Sequence, residues 1–244
     1  MSKHAVLNQS RRNLLRAACG AALLATLPLA TRAAGAPLKI ATIGAGHIGG
    51  TLGSLWAQAG HPVMFSSRRP EELKNLVTAL GDRASAGTVQ EAIAFGDAVL
   101  LAVPYRALPD IGKNYARELA TKALVLDACN PIPARDGEIA TWAREKGAGL
   151  ATAELLPGAR LVRAFNAIGY TRLPQARGQP ERIGMPMAGD DAGSLALASE
   201  LVREIGFEPV VIGPLAMGKY LIPGTPLAGE HTPEQIRQIL ATLN

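Results

Sequence analysis

Cysteine is nearly absent: the 244 residues contain two, Cys19 and Cys129. That excludes a disulfide-stapled scaffold and a cysteine-rich zinc module. His47, His61 and His231 show no metal-ligand spacing, and no metal site is expected. No G-x-S-x-G nucleophile elbow occurs, nor any internal repeat, low-complexity tract or charge run. Acidic residues are missing from residues 1–36, which hold Lys3, Arg11, Arg12, Arg16 and Arg32. The formal charge of +5 and the pI near 9.5 invite a nucleic-acid reading. Beyond residue 36, however, 20 basic residues face 20 acidic ones. No basic excess is left to neutralise phosphates, so no nucleic-acid partner is expected. A hydrophobic share of 48% excludes a disordered chain.

What is present at the start has the layout of an export signal. A basic, polar segment precedes an apolar run at 17–30 and small residues at 31–36. The apolar run is too short and too rich in Ala for a stable membrane span. Ser10-Arg11-Arg12-Asn13-Leu14-Leu15-Arg16 resembles the twin-arginine export motif. That resemblance implies passage through the twin-arginine machinery, already folded, to a periplasmic or exported location. The competing reading is an uncleaved amphipathic helix. With residues 1–36 removed, Cys129 stands alone and no intramolecular disulfide can form.

From residue 37 onward, apolar runs of strand length alternate with helical periodicity. Strands are expected at 38–43, 63–65, 98–103, 123–126, 161–165, 183–188 and 209–212. Helices are expected from Ile48 to Gly60 and over 70–80, 88–95, 107–120, 192–205 and 232–243. Thr232 and Pro233 supply the N-cap and first position of the last helix. Continuous apolar strands separated by helices predict an α/β fold with a mainly parallel sheet, doubly wound. Residues 130–137, 169–181 and 215–230 read as irregular and lie mostly after strand ends. The expected domains are a signal at 1–36, a Rossmann-type nucleotide-binding domain at 37–230, and a C-terminal helix at 231–244. That helix would pack on the domain or on a partner.

The first strand ends in Gly44-Ala45-Gly46-His47-Ile48-Gly49, and a helix follows. This is the context a G-x-G-x-x-G fingerprint needs to bind a dinucleotide. Gly44 permits the tight turn, Gly46 close approach of a pyrophosphate, and Gly49 close packing of helix on strand. His47 and Ile48 open the helix, whose free N–H groups and dipole favour phosphate. An NAD site usually carries an acid about 20 residues beyond the fingerprint. Ser66-Ser67-Arg68-Arg69 stands there instead, and hydroxyls with guanidiniums suit the 2′-phosphate of NADP(H).

The combined pattern resembles the coenzyme F-420-dependent NADP oxidoreductase family, which shares its nucleotide domain with the STEAP ferric reductases. The matching stretches are the fingerprint, Ala59-Gly60-His61-Pro62-Val63, Ser67-Arg68-Arg69 and Ala102-Val103-Pro104. Arg163-Ala164-Phe165-Asn166, Ala188-Gly189-Asp190-Asp191 and Gly213-Pro214-Leu215 extend the likeness, which runs from Leu38 to Pro226. It implies direct hydride transfer between NADP(H) and a flavin or deazaflavin ring, with no acid–base dyad to carry over. The nicotinamide neighbours it implies are Val103, Pro104, Tyr105, Asn130, Pro131, Ala164 and Asn166. Asn166 is a candidate to bond the carboxamide or the acceptor. For Phe165, the alternative is ordinary core packing. Gly189-Asp190-Asp191 reads as a helix cap, and Cys129 as a small buried hydrophobe. Arg163 either pairs with an acid or faces solvent.

Two other functions compete. One is a non-catalytic exported module that keeps only the NADP(H) pocket. The other is a β-hydroxyacid dehydrogenase or pyrroline-carboxylate reductase. Those need a large helical second domain, and only about 30 residues follow the last expected strand. The same shortage predicts a shallow acceptor pocket or one completed by a second copy in a homodimer.

Overall fold

The computed structural model describes residues 37–176 and 179–243. The signal expected at 1–36 lies outside them. Eight strands form one sheet in the order β3-β2-β1-β4-β5-β6-β7-β8. They are β1 (Ile40–Ile43), β2 (Val63–Ser66), β3 (Ala84–Gly87), β4 (Ala98–Leu101), β5 (Leu124–Asp127), β6 (Leu161–Arg163), β7 (Gly184–Gly189) and β8 (Glu208–Gly213). The first six run parallel; β7 is antiparallel to β6, and β8 is parallel to β7.

The central strands β1, β4 and β5 are buried on both faces, because all their residues but Thr42 and Asp127 are apolar. Ile40, Leu100, Leu124 and Leu126 join one core with α1 (His47–Ala59), α2 (Lys74–Leu80) and α8 (Ala192–Glu204). Ala41, Ile43, Val99, Leu101 and Val125 join the other. That second core includes side chains of α3 (Val89–Phe95), α4 (Leu108–Ala120), α6 (Glu138–Lys146) and α7 (Ala148–Leu155). Alternation of side chains along each strand makes this division. Trp56 ties α1 to α8 by donating its indole N–H to Leu201 O at 3.0 Å. The result is a Rossmann-like, mainly parallel α/β fold with a C-terminal helix.

That helix, α9 (Pro233–Leu240), begins at Thr232 with a reciprocal capping box. Gln235 N–H donates to Thr232 Oγ1 and Thr232 N–H to Gln235 Oε1. Ile236 is fully buried and packs with Val210 and Ile212 of β8. Asp191 caps α8, accepting from Ser194 N–H at 2.7 Å, as its place before an apolar helix predicts.

Three helices and one strand lie outside the elements that the sequence predicts. The strand β3 is Ala-Ser-Ala-Gly, without the β-branched residues that mark strands. It forms because β2 offers an open edge. A one-turn α5 (Pro133–Asp136), then α6 and α7, cross from β5 to β6. Their Ala and Gly content blurs the hydrophobic stripe. The sheet's antiparallel end has a consequence for the site. β6 pairs only with Ala188 and Gly189 of β7, so residues 184–187 overhang the C-terminal edge of β6.

Candidate functional site: the carboxyl edge of the sheet

The glycine turn follows β1 directly. Gly44 adopts φ +95°, and a Cβ there would sit 2.6 Å from Ala102 O. A Cβ on Gly49 would meet Gly44 O at 1.9 Å, so α1 rests on the turn with no room for a side chain. Gly46 differs from both: a Cβ there meets nothing within 4 Å. Gly46 is the exposed N-cap of α1, with no side-chain cap bond and no acid in the first turn. The 13-residue helix therefore points uncapped N–H groups at open space. His47 is exposed and Ile48 half-buried. The His47 ring stacks on Tyr170 with centroids 4.3 Å apart and planes 15° apart. Tyr170 opens the 3-10 segment Tyr170–Ala176, which packs on α1. A cleft of about 700 Å³ runs from Gly46 and His47 along α1 toward Leu73, Leu76 and Pro174.

The basic turn after β2 divides its roles. Ser66 is fully buried, donates its hydroxyl to Thr42 O at 2.8 Å, and has none to spare for a ligand. Its expected ligand contact is corrected to a structural one. Ser66 O accepts from the N–H groups of Gly44 and Ala45 and so holds the glycine turn. Ser67 Oγ accepts from Arg69 N–H at 3.2 Å. Arg69 is exposed and pairs with Glu72 at 2.8 Å. Arg68 is exposed and has no partner among the described residues.

Beyond β4, Val103 and Pro104 are half-buried at the edge. Tyr105 is not a cleft residue. Its side chain is fully buried, with its hydroxyl 3.2 Å from Ala148 O and 3.1 Å from Thr152 Oγ1. Burial, and then Asp127, push its pKa well up. Pro131 and Ala164 are buried as well and present no side-chain surface to a ligand. These three expected side-chain contacts are corrected: Tyr105, Pro131 and Ala164 pack into the core, while Val103, Pro104 and Asn130 stay at the edge. Phe165 is core too, edge-on to Trp56 and Phe207. It reaches there because its φ of +65° breaks the strand alternation and sends its ring to the same core as Ala164. A non-glycine residue in this region is strained.

Two asparagines remain, one after β5 and one after β6. Asn130 is half-buried; its Nδ2 donates to Asn166 O at 2.7 Å and its Oδ1 accepts from Arg163 at 3.2 Å. Asn166 is 4% exposed, donates Nδ2 to Cys129 O at 3.1 Å, and leaves Oδ1 without a partner. Beneath them, Arg163 and Asp127 form a buried ion pair at 2.7 Å. Thr152 Oγ1 donates to Asp127 Oδ2 at 2.9 Å, and Cys129 N–H to Oδ1 at 2.8 Å. Burial and Asp127 raise the Cys129 thiol far above its usual range, so it stays a neutral thiol.

One further constellation lies outside the expected site residues. The Asp136 carboxylate accepts from the N–H groups of Ile132 and Arg106 and from the Arg135 guanidinium. Arg135 also donates to Asn130 O at 2.7 Å. This carboxylate ties the turn after β4 to the turn after β5. Burial pushes it up, but the donated hydrogen bonds outweigh that and hold it below the usual range. The available signal was an acid inside an irregular segment bearing two prolines. Among the described residues no His, Cys, Asp or Glu cluster could hold a metal. No described helix is long and apolar enough to cross a membrane.

Residues 39–131 match the family NADP oxidoreductase, coenzyme F420-dependent. That stretch covers β1 through β5, with the glycine turn and Asn130. The chain is 27% identical over 181 residues to the metalloreductase STEAP3 of Rattus norvegicus. It is 29% identical over 201 residues to a glycerol-3-phosphate dehydrogenase [NAD(P)+] of Rhizobium etli. The alignments take 74% and 69% of this chain but only 35% and 62% of those proteins. A solved hypothetical protein of Sinorhizobium meliloti superposes with a TM-score of 0.63 at 26% identity. That likeness covers 80% of this chain and 95% of the other. The matched family and the dehydrogenase are NAD(P)-dependent oxidoreductases by name, and the Sinorhizobium protein shares the fold.

Proposed function

We propose that this chain is an NADP(H)-dependent oxidoreductase that passes hydride between NADP(H) and a flavin- or deazaflavin-like acceptor. One observation carries the reading. An uncapped helix N-terminus opens at Gly46, and the nearby end of β2 offers Arg68, without a partner among the described residues, where an NAD site would carry an acid. The family match and the dehydrogenase relative support the same cofactor class.

The residues present fit a dinucleotide. The open space at Gly46 admits a pyrophosphate close to the backbone, where a side chain would stand in its way. Arg68 supplies a permanent charge and a planar fork for a 2′-phosphate. The nicotinamide, when bound, supplies the hydride. The chain's own part is to orient the ring and exclude water. The titratable groups beneath the edge suit that limited role. Asp127, Tyr105 and Cys129 are all buried and hydrogen-bonded below the surface. None is placed to exchange protons with an acceptor.

We read residues 1–36 as a twin-arginine signal, with export of the folded protein and a periplasmic site of action. Fractionation of cells carrying Arg11→Lys and Arg12→Lys should then show retention in the cytoplasm. A homodimer that completes the acceptor pocket belongs to the same proposal; a monomer by light scattering at working concentration would remove it. The function itself is tested by fluorescence titration with NADPH, followed by turnover on flavin, deazaflavin and ferric acceptors. Tight binding without turnover on any acceptor would leave a nucleotide-binding module. Absence of binding would end the proposal.

A further inference from the structure

Three guanidiniums meet at one turn of the carboxyl edge. Arg106, in the 3-10 segment Tyr105–Ala107 after β4, donates to Arg135 O. Arg135, in α5, donates to Asn130 O at 2.7 Å, and Arg144, in α6, to Pro131 O at 3.3 Å. Against them stands one carboxylate, Asp136, buried beneath the turn. Arg135 alone answers it, with Nε 3.1 Å from Oδ1 and Nη2 2.8 Å from Oδ2. Asp110, Glu138 and Glu145, the nearest other acids along the chain, pair with none of the three among the described residues. Folding therefore accounts for one guanidinium and leaves two positive charges over. Residues beyond 36 are formally neutral as a whole, so the excess is local.

Arg106 has donors to spare. Its side chain is 57% exposed. Nη1 is spent on Arg135 O and lies 3.9 Å from Asp136, too far for a hydrogen bond. Nε and Nη2 have no partner among the described residues. The neighbouring Ile132 leaves a large apolar side chain 37% exposed. Asp136 holds the two together, accepting from the backbone N–H of Arg106 at 3.4 Å and of Ile132 at 3.0 Å. Apolar surface beside a free guanidinium suits a flat ring with a charged substituent.

The patch lies next to the dinucleotide site and not in it. Val103, three residues before Arg106, has Cγ1 2.8 Å from where a Cβ of Gly44 would stand. β5 is two strands from β1, roughly 10 Å at the usual spacing. A pyrophosphate on the glycine turn stays at the end of β1, so the free charge beyond β4 and β5 is left for the second reactant.

We propose that the hydride acceptor carries a phosphate, which Arg106 and the exposed Arg144 bind at this turn. The inference rests on the flavin-type acceptor proposed above and adds the group that selects it. A phosphate monoester bears about −1.5 to −2 charges at pH 7, which matches the excess of two. Guanidinium forks bind such oxygens through paired hydrogen bonds. The chemical class is a flavin mononucleotide rather than a bare isoalloxazine.

The test compares FMN with riboflavin, which has the same ring and no phosphate. Each is titrated by flavin fluorescence into protein saturated with NADP⁺, and NADP⁺ itself by calorimetry. The variants are Arg106→Ala, Arg106→Lys, Arg144→Ala and, as a control of equal charge change on α4, the exposed Arg117→Ala. Wild type should bind FMN at least tenfold more tightly than riboflavin. Arg106→Ala should reduce that ratio about fivefold to tenfold, and Arg106→Lys and Arg144→Ala by less. NADP⁺ affinity should hold in all of them, and Arg117→Ala should keep the wild-type ratio. Raising salt from about 0.05 M to about 0.5 M should weaken FMN and leave riboflavin alone, a readout that needs no variant. Equal affinity for FMN and riboflavin overturns the inference; with NADPH-driven turnover of both, the proposed function still stands. An Arg106→Ala that weakens NADP⁺ assigns the patch to the nucleotide and also overturns it. Equal losses in Arg106→Ala and Arg117→Ala reduce it to a general field and do the same. Binding of NADP⁺ with neither flavin overturns the inference and the flavin reading together.

Discussion

At the ends of β1 and β2 the polar groups face outward. Gly46 opens to space, His47 is exposed, and Arg68 has no partner among the described residues. At the ends of β5 and β6 the polar groups face one another. Arg163, Asp127, Asn130 and Asn166 bond among themselves and to nearby backbone. The first pair of ends can receive charge at little conformational cost. The second pair is stiff before any ligand arrives, which favours orientation over attraction. A reaction that needs two rings held face to face calls for both qualities, on opposite sides of one edge.

The contrast breaks most severely at the locked side. Asp127→Ala strands a buried guanidinium and removes the acceptor of Thr152 and Cys129. Stability should fall by roughly 3–5 kcal/mol in urea unfolding, as when one member of a buried pair is lost. An effect under about 1 kcal/mol would mean that water reaches the pair.

The two fingerprint glycines sharpen the comparison next. Gly49→Ala drives a Cβ into Gly44 O and should cost about 1–3 kcal/mol of stability. Gly46→Ala meets nothing and has an ordinary φ of −76°, so its stability should fall by no more than about 1 kcal/mol, the cost of Ala at an N-cap. Its NADPH affinity should nevertheless drop at least tenfold, because the methyl group occupies the pyrophosphate's approach. Equal effects of the two substitutions on unfolding would refute the division of roles.

Arg68→Ala should weaken NADPH about tenfold and leave NADH and the unfolding midpoint alone. Arg69→Ala should do less, since Glu72 already holds that side chain. The smallest effect concerns Asp136. Its carboxyl sits below its ordinary value, so its contribution to stability is complete above about pH 4. That contribution is lost as pH falls through the lowered value. Asp136→Asn should therefore flatten the acid limb of stability below about pH 4, measured by urea unfolding across pH.

The open side was the legible one, for a physical reason. A glycine turn and a basic turn are local devices: their spacing along the chain is their spacing in space. The glycine turn could be placed from sequence because Ser66 O holds it and Gly49 rests on Gly44, all within one β-α-β unit. The Ser66 side chain could not, because its hydroxyl is consumed by Thr42 on the adjacent strand. The locked side joins residues 36 positions apart, Asp127 to Arg163, through strand order alone. Strand order decides whether Arg163 meets an acid or faces solvent, and a run such as Leu-Val-Arg-Ala-Phe is silent on it. Tyr105 was misplaced for the same reason. Its partners Ala148 and Thr152 belong to α7, a helix too rich in Ala and Gly to announce its buried face. β3 was missed because the open edge of β2, not its own residues, makes it a strand.

The measurement closest to the central claim is a paired titration of wild-type protein with NADPH and NADH under one set of salt conditions. Arg68, without a partner among the described residues and standing where an NAD site would carry a carboxylate, should favour NADPH by at least tenfold. Equal affinities would contradict the reading of Arg68, and a preference for NADH would contradict the site as a whole.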